Sequence, residues 1–383
     1  MECQKKESRV LSAKKKDRVE KKRLGLIFGG ESLEHEVSVQ SAKEIIGHLD
    51  VNKYSLIPIG IDKRGEWHFF KQAPFLSALK QGQVPTFKNE DTCFPPLFRG
   101  HLFKNKGFCP SFFKSHCDLV FPIVHGPFGE DGTIQGLLEL ANIPYVGSDL
   151  LSSSMCMDKG IMKDILRSQG LPTSDYLVCD FKDRIDAGKI MATLGLPLFV
   201  KPARMGSSIG VSKISQLSEL LPAIDRAFQF DEKVVIETCI EGREIECSVL
   251  GNEEPQASLP GEIIPTHSFY SYSAKYIDQN GAHFVVPAHL DPQTIVEIQR
   301  LAIQAFQALC CEGMARVDFF LKKDGTLLIN ELNTIPGFTP LSLYPRLWEV
   351  SGLAYTDLLD RLVELAIRRH QRKKRIRTQK PVA

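Results

Sequence analysis

One segment near the C-terminal end, R-V-D-F-F-L-K-K-D-G-T-L-L-I-N-E-L-N (316–333), limits the fold of this sequence more than any other. Asp324-Gly325 within it is the dipeptide that two-residue hairpin turns prefer. The segment is therefore predicted to be an antiparallel hairpin in which Lys323 pairs with Thr326. Such a turn sets the facing residue of every position along both strands.

This register brings two acidic residues, Asp318 and Glu331, face to face and sets Arg316 opposite Asn333. The four side chains share one face because side chains alternate along a strand. Like charges directly opposed destabilise a hairpin, and two carboxylates with an amide oxygen suit a hard cation such as Mg²⁺. The alternative is an exposed face with a Glu–Arg cross-strand pair. The other face is expected to point mostly to the core and carries Val317, Phe319, Leu328 and Asn330.

The N-terminal part of the chain alternates strands with helices. Strands are predicted from Leu24, at Tyr54–Ile61 and at Asp118–Val124, and a helix at Thr133–Ala141. This alternation predicts a doubly wound parallel sheet over residues 24–148. Ligands bind such sheets at the carboxyl ends of the strands, which selects Gly29–Glu36 and His125–Gly132.

Two smaller α+β units are predicted to follow, at residues 149–240 and 241–369. The second contains a polar, tyrosine-rich loop at about 259–283, and a loop of this length in a compact domain is usually functional or mobile. Its first helix is expected to begin at Asp291-Pro292, an N-cap followed by proline at the first helical position.

Both ends of the chain are basic. Residues 1–23 carry a net charge of +6 and residues 366–383 one of +8, so the remainder carries −12 within a total of +2. The tails at 1–23 and 370–383 are predicted to be disordered and solvated, since they lack aromatic residues. A nucleic-acid partner is therefore disfavoured.

Cysteine spacing and hydropathy indicate the cellular compartment in which the protein folds. The ten cysteines include no C-x-x-C pair, so reduced, buried thiols are expected rather than disulfides or a zinc site. No apolar run reaches the length of a membrane span, and the N-terminus lacks the apolar core of a secretory signal. The sequence predicts a cytoplasmic protein without a membrane partner.

A glycine- and serine-rich stretch, Met205–Gly210, follows a strand that ends at Lys201. Its N–H and hydroxyl groups suit phosphate oxygens, and the chain contains neither G-x-x-x-x-G-K-[ST] nor G-x-G-x-x-G. The stretch also matches G-x-S-x-G, the nucleophile elbow of serine hydrolases, with Ser208 as the nucleophile. That alternative fits less well, because an elbow enters a helix at once and the only histidine after Asp318 is His370.

A series of ordered motifs extends from about residue 24 to residue 368. They are G-G-E-S-L-E-H-E-V-S (29–38), H-G-P-F-G-E-D-G-T-I-Q-G (125–136), M-D-K (157–159), V-K-P-A-R-M-G-S-S-I-G (200–210), I-E (236–237), G-R-E (242–244), F-Y-S-Y-S-A-K-Y (269–276), M-A-R-V-D (314–318) and N-E-L-N-T-I-P-G-F-T (330–339). In this order the sequence resembles the ATP-grasp superfamily, and within it the D-alanine:D-alanine ligases.

The resemblance implies an ATP-grasp fold, in which two α+β domains clamp ATP beside an N-terminal parallel-sheet domain. It also implies the chemistry of that family, in which ATP phosphorylates the carboxylate of one D-alanine and the amine of a second D-alanine attacks the acyl phosphate. The product serves peptidoglycan precursor synthesis. Two Mg²⁺ ions, with Mn²⁺ as an alternative, and a homodimer are implied as well.

The residue roles that the resemblance implies fall into four groups. ATP would be bound by Lys159, Lys201, Glu237, Glu244 and Lys275. The cations would be bound by Asp318, Glu331 and Asn333. D-alanine would be bound by Glu34, His125, Ser342 and Leu343. The tetrahedral oxyanion would be stabilised by Arg316 and the Gly337 N–H, and the mobile loop would close through Ser207, Tyr276 and Glu34.

Two other functions stay open from the sequence. A ligase with D-lactate or D-serine as acceptor is the alternative, although the neutral Tyr276 gives a lactate anion no cationic partner. A non-catalytic ATP-binding protein that uses its tails for nucleic acid is a third hypothesis. The intact cation trio, Asp318, Glu331 and Asn333, argues against the third.

Overall fold

The structure is a computed structural model that describes residues 20–80, 111–266 and 281–376. Its first sheet consists of β1 (Lys22–Gly29), β2 (Tyr54–Ile61), β3 (Trp67–Phe69) and β4 (Leu119–Pro122). The strand order is β3-β2-β1-β4, with β2 and β4 parallel to β1 and β3 as an antiparallel edge strand.

Helices cover both faces of this sheet. They are α1 (His35–His48), α2 (Gln72–Lys80), α3 (Ser111–His116) and α4 (Thr133–Leu140), together with the last helix of the chain, α11 (Tyr355–Lys374). Leu26 and Phe28 of β1 pack into one core with α1 and α11, whereas Ile27 packs on the opposite face with α4. The predicted doubly wound sheet is confirmed, and the carboxyl ends of β1 and β4 lie side by side.

The second sheet is antiparallel throughout, in the order β5-β8-β6-β7. Its strands are β5 (Tyr176–Asp180), β6 (Leu198–Pro202), β7 (Ser212–Ile214) and β8 (Lys233–Thr238), and the helices of this region are α5 (Leu150–Met157), α6 (Lys159–Ser168), α7 (Ala187–Leu194) and α8 (Leu220–Ala227). Asp158 caps α6 by accepting the N–H groups of Gly160 and Ile161, so Lys159 is the first helical residue.

The third sheet is also antiparallel, in the order β12-β11-β9-β13-β14, with β10 paired to β9. Its strands are β9 (Gly242–Gly251), β10 (Gln256–Ala257), β11 (Gly261–Pro265), β12 (Ala282–Val285), β13 (Gly313–Lys322) and β14 (Leu327–Asn333). Helix α9 (Pro292–Ala308) lies between β12 and β13, and α10 (Leu343–Val350) follows β14. Asp291 caps α9 as predicted. Because β11 and β12 occupy parts of the segment 259–283, the predicted loop is shorter than expected, and residues 267–280 lie outside the described residues.

The hairpin of β13 and β14 corrects the predicted turn. Lys323 does not pair with Thr326; instead the Lys322 N–H donates to the Thr326 carbonyl, and a three-residue turn ends at Gly325 with a positive φ of 84°. A bulge then adds Asn330 to β14, so Asp318 faces Glu331 as predicted. Two one-residue shifts of opposite sign therefore cancel.

The bulge also changes which face some residues occupy. Val317 and Phe319 are buried in the core as expected. Asn330, predicted to lie on that same face, instead lines a pocket together with Glu331 and Phe320. The extra residue in β14 is the reason, because side-chain direction inverts where a strand bulges.

Both predicted tail boundaries were wrong. β1 begins at Lys22, and α11 continues through His370 to Lys374. Arg369 is buried and donates to the carbonyls of Gly147 and Tyr145. Further along, Arg372 pairs with Glu253 and Glu312, and Lys373 pairs with Glu139 and Asp149. Three of the eight basic residues of segment 366–383 are thus held by contacts within the fold.

Two global features bear on the expected compartment. Within the described ranges, none of the helices combines the length and apolarity needed to span a membrane. The seven cysteines in those ranges are free thiols, as predicted; five of them are buried, whereas Cys239 is half-buried and Cys310 is exposed.

Candidate active site

The Gly/Ser loop (Met205–Gly210) reaches across to the N-terminal sheet. The Ser207 hydroxyl donates to the carboxylate of Glu34, which lies at the N-terminus of α1. A Cβ atom on Gly206 would stand 3.0 Å from Glu34 Oε2, so glycine permits this approach. Ser207 and Ser208 both have positive φ, of 51° and 58°. The structure therefore joins two of the residues predicted to close the site.

The serine hydrolase alternative is not supported by this loop. After Gly210 the chain enters β7 rather than a helix, so Ser208 does not lie on a strand–helix elbow. The carboxylate of Asp318, its proposed triad acid, is engaged by Arg316 and Asn333. This constellation lacks the geometry of a nucleophilic serine.

A pocket between the second and third sheets collects most of the predicted ATP-binding residues. Its lining includes Lys159, Lys201, Glu237, Glu244 and Glu331, together with Phe199, Phe320 and the Gly/Ser loop. Lys159 Nζ lies 3.4 Å from Glu331 Oε2 and donates to the Met205 carbonyl at 2.8 Å. Two buried lysines beside a glycine- and serine-rich loop give this pocket groups that could hold an anionic ligand such as a phosphate.

Glu237 is held by two buried lysines rather than one. Lys201 Nζ lies 2.5 Å from its Oε1 and Lys163 Nζ 3.1 Å from its Oε2, while Lys163 also donates to Ser174. Burial alone would raise the pKa of Glu237, but the two lysine charges lower it to about 2. Burial in turn lowers the pKa of Lys163, against the opposing effect of Glu237. Glu237 is therefore a fixed anion.

Lys163 was missed from the sequence, although one signal could have found it. It follows Lys159 by four positions on α6, and residues four apart share a helix face. Its side chain is fully buried, which is rare for lysine and requires a charge partner.

The predicted cation ligands lie together on the third sheet. Arg316 binds both oxygens of Asp318 at 2.7 Å, and Asn333 Nδ2 donates to Asp318 Oδ2 at 3.0 Å. Burial acts to lower the pKa of Arg316, but Asp318 and Glu246 raise it well above its ordinary value. Two carboxylates and an amide side by side are a donor set that fits a divalent cation. In this structure Arg316 and Lys159 supply the positive charge that such a donor set requires.

Glu246 is a third carboxylate in this row that sequence reasoning missed. It lies opposite Asp318 on the neighbouring strand β9, and its Oε2 is 2.9 Å from Arg316 Nε. Its position two residues after Glu244 predicts the same strand face, which is the signal that could have revealed it. Arg316 is thus anchored by two acids.

A further acid, Glu130, lies next to the site in the His125–Gly132 loop. It accepts the Gly126 N–H at 2.7 Å and lines a small pocket with Lys159, Glu331 and Asn333. Burial, reinforced by the charge of Glu34, raises the pKa of Glu130 to about 8. It belongs to the quoted 125–136 motif, although no role was predicted for it.

His125 is buried at the end of β4 with both ring nitrogens in contact with protein groups. Nδ1 lies 3.0 Å from the Ile335 carbonyl and Nε2 lies 3.2 Å from Ser41 Oγ. Burial lowers the pKa of His125 to about 4, so the ring is neutral near pH 7. Its predicted contact with D-alanine stays a prediction.

Gly337, the predicted oxyanion donor, lies in a segment (Ile335–Phe338) that follows β14 and is named the oxyanion segment after that prediction. Among the described residues, no group accepts the Gly337 N–H, as an oxyanion donor requires. A Cβ on Gly337 would lie 2.6 Å from Ser342 Oγ, which explains the glycine. Ser342 caps the turn before α10 through the Thr339 N–H, and the Leu343 side chain is buried, so its backbone is the part that can face a ligand.

Two predicted residues, Lys275 and Tyr276, lie outside the described residues. Six of the others, Lys159, Lys201, Ser207, Glu237, Glu244 and Glu331, line the pocket between the second and third sheets, here called the cleft, and Ser207 joins Glu34 to it. Asn333 lines the adjoining small pocket with Lys159 and Glu331. A parallel-sheet domain beside two antiparallel α+β units that face a lysine-lined pocket defines an ATP-grasp enzyme.

Comparison with known proteins identifies the family. The family described as D-ala D-ala ligase N-terminus matches residues 23–148, and that described as D-ala D-ala ligase C-terminus matches residues 165–364. The chain belongs to the D-alanine–D-alanine ligase family, as the sequence motifs predicted.

Individual relatives agree with this assignment. D-alanine–D-alanine ligase A of Escherichia coli K12 is 47% identical over 367 residues, covering 92% of this chain and 97% of the relative. The ligase of Oceanobacillus iheyensis is 47% identical over 365 residues, covering 94% and 98%. The structure of the Coxiella burnetii D-alanine-D-alanine ligase matches with a TM-score of 0.75 at 38% identity, covering 93% and 98%. The VanG D-Ala:D-Ser ligase of Enterococcus faecalis matches with a TM-score of 0.77 at 36% identity, covering 91% and 100%.

Proposed function

We propose that this enzyme joins two D-alanine molecules to D-alanyl-D-alanine at the expense of ATP, for peptidoglycan precursor synthesis. The observation that supports the proposal is the Ser207–Glu34 contact, in which the carboxylate proposed to bind the substrate ammonium meets the loop proposed to bind phosphate. Amino-acid and nucleotide sites must adjoin in this way if a carboxylate is to be phosphorylated by ATP.

In the first step the carboxylate of one D-alanine attacks the γ-phosphorus of ATP, giving D-alanyl phosphate and ADP. Lys159 and Lys201 supply positive charge to the phosphate oxygens, and Glu34 holds the ammonium group of the substrate. The Ser207–Glu34 contact closes the Gly/Ser loop over the cleft. Exclusion of water protects the acyl phosphate from hydrolysis.

In the second step the neutral amine of another D-alanine attacks the carbonyl carbon, a C–N bond forms, and phosphate leaves. Arg316 and the Gly337 N–H stabilise the negative charge that develops on the carbonyl oxygen. Ser342 and the backbone of Leu343 adjoin the acceptor carboxylate. Glu237 and Glu244 are proposed to bind the adenine and ribose of ATP.

Two Mg²⁺ ions, with Mn²⁺ as an alternative, fit Asp318, Glu331 and Asn333 and would neutralise charge on the transferring phosphoryl group. The predicted roles of Lys275 at the phosphate and Tyr276 in loop closure complete the proposal. A homodimer, implied by the family resemblance, and a cytoplasmic location, supported by the free thiols, belong to it as well.

Substrate competition tests the proposal. The purified chain, with ATP and Mg²⁺, should release ADP with D-alanine alone and not with L-alanine. With D-alanine, D-serine and D-lactate at equal concentration, mass spectrometry should show D-alanyl-D-alanine as the main product across about pH 6 to 9. D-alanyl-D-serine as the main product would favour the activity printed for the E. faecalis relative instead.

A further inference from the structure

The buried Ser41 hydroxyl connects two elements that the reaction uses. Ser41 lies on α1, and its side chain is fully buried. Its Oγ accepts the Phe338 N–H at 3.1 Å and lies 3.2 Å from His125 Nε2. The other ring nitrogen, Nδ1, is 3.0 Å from the carbonyl of Ile335. Ser41 and His125 therefore contact both ends of the oxyanion segment.

The direction of each hydrogen bond follows from the chemistry of the groups. A carbonyl oxygen can only accept, so His125 Nδ1 carries the proton that bonds to Ile335. In a neutral ring Nε2 is then an acceptor, and the Ser41 hydroxyl must donate to it. The same hydroxyl oxygen accepts a hydrogen bond from the Phe338 N–H. The three hydrogen bonds, Phe338 to Ser41, Ser41 to His125 and His125 to Ile335, therefore form one consistent chain.

The chain spans four residues, and Gly337 lies among them. The Tyr355 hydroxyl, at the start of α11, donates to the Phe338 carbonyl at 2.9 Å. This second hydrogen bond also fixes the Phe338 end of the oxyanion segment. Ile335 and Phe338 are themselves buried. The path of the backbone through Gly337 is thus determined by side chains from α1, the loop after β4 and α11.

We propose that Ser41 and His125 are positioning residues that hold the oxyanion segment, with His125 as the neutral Nδ1–H tautomer, so that the Gly337 N–H points at the reacting carbonyl oxygen. The proposal rests on the proposed ligase function for its kinetic part. In this arrangement His125 acts through the segment rather than on the substrate, because both of its ring nitrogens are used.

The kinetic test compares Ser41→Ala with Ser152→Ala. Ser152 on α5 is equally buried and its hydroxyl is likewise hydrogen-bonded, to the backbone carbonyl of Cys310, but it lies outside the cleft. Loss of one oxyanion donor lowers kcat by roughly 100-fold to 1,000-fold, so a displaced donor should lower kcat by about tenfold. Ser41→Ala should do this without changing the KM for ATP, whereas Ser152→Ala should retain wild-type kcat.

A spectroscopic test is independent of activity. Imidazole ¹⁵N spectra of the wild-type chain at pH 7, assigned with His125→Gln, should show a protonated Nδ1 and an unprotonated Nε2. Ser41→Ala should shift the Nε2 resonance, because its hydrogen-bond donor is lost. This measurement remains decisive even where Ser41→Ala folds poorly, since its main result comes from the wild-type protein.

The two tests separate the two proposals. A protonated Nε2, a charged ring, or equal kcat losses in Ser41→Ala and Ser152→Ala would overturn the positioning role. Absence of D-alanyl-D-alanine synthesis by the wild-type chain, with the stated tautomer present, would overturn the ligase function and leave the hydrogen-bond chain standing.

Discussion

The Ser207 hydroxyl donates a hydrogen bond to the Glu34 carboxylate, a residue 173 positions earlier in the chain. One partner belongs to the Gly/Ser loop of the second unit and the other begins α1 of the parallel-sheet domain. Because the contact crosses between these units, its strength affects how tightly the cleft can close over a reactive acyl phosphate.

Paired substitutions at Ser207 separate this contact from backbone strain. Both Ser207→Ala and Ser207→Gly lose the bond to Glu34, and a hydrogen bond to a charged group contributes about 1.5–3 kcal/mol. Both should therefore lower kcat/KM for D-alanine by at least tenfold. Glycine tolerates the φ of 51°, so Ser207→Gly should be about 1 kcal/mol more stable than Ser207→Ala in urea unfolding. Wild-type kinetics in Ser207→Gly would show that the bond has no catalytic role.

Glu331→Gln should weaken Mg²⁺-dependent turnover far more than it weakens folding. The substitution removes one of two facing carboxylates, so unfolding without metal should change by about 1 kcal/mol or less. The Mg²⁺ concentration for half-maximal turnover should rise at least tenfold. Glu254→Gln, at an exposed acid between β9 and β10, is the control and should behave as wild type. Early melting in EDTA with normal turnover would instead make Glu331 a structural residue.

Lys163→Met tests the buried lysine behind Glu237. Breaking a buried ion pair costs about 3–5 kcal/mol of folding stability. Because Lys201 still pairs with Glu237, the loss of stability should lie near the lower of these values. Urea unfolding should show this loss, and the KM for ATP should rise because Glu237 is less firmly held. Lys189→Met, at an exposed lysine of α7, should change neither quantity. An unchanged KM for ATP would limit Lys163 to a structural role.

The pKa of His125 predicts acid sensitivity. The ring has a pKa of about 4 when folded against an ordinary value of 6.5, so the unfolded chain binds more protons between these values. Stability should therefore fall as the pH drops from about 6.5 to 4, by about 3 kcal/mol from this group. Urea unfolding of His125→Gln should show a flatter pH dependence in that window, whereas His283→Gln, at an exposed histidine, should follow the wild type. Identical slopes in all three proteins would contradict the assignment.

Truncations test the corrected boundaries of the fold. Removal of residues 1–19 or 377–383 should leave turnover and unfolding nearly unchanged. Removal of 369–383 deletes Arg369, whose guanidinium binds two buried carbonyls, and the ion pairs of Arg372 and Lys373. Since each buried bond to a charged group contributes about 1.5–3 kcal/mol, the free energy of unfolding should fall by about 3 kcal/mol or more. Equal stability of the 377–383 and 369–383 truncations would restore the prediction of a solvated tail.

The facing of Asp318 and Glu331 was predicted correctly although one step of the derivation failed. The Asp324-Gly325 dipeptide indicated a hairpin, and the facing of Asp318 and Glu331 followed from it. The sequence could not distinguish a two-residue turn from a three-residue turn with a bulge at Asn330, because both place the same glycine in the turn. The prediction held because the bulge compensates for the turn.

The missed residues share one cause. Glu246 faces Asp318 across strands with more than sixty residues between them, and no tight turn sets that register from sequence alone. Ser41, Lys163 and Glu130 likewise gain their roles from contacts with distant segments. Motifs identified residues whose roles the family resemblance implies, while the partners of these supporting residues became visible only through tertiary packing.

The packing of α11 has a consequence for the order in which the chain can fold during synthesis. Leu358, Leu362 and Ala366 of this last helix complete the same apolar core as Leu24 and Phe28 of the first strand. A ribosome that has released the whole parallel-sheet region still holds the helix that covers one of its faces. That face is therefore covered only in part, by α1 and α2, until α11 has been synthesised, so the emerging sheet exposes apolar surface that a chaperone can protect.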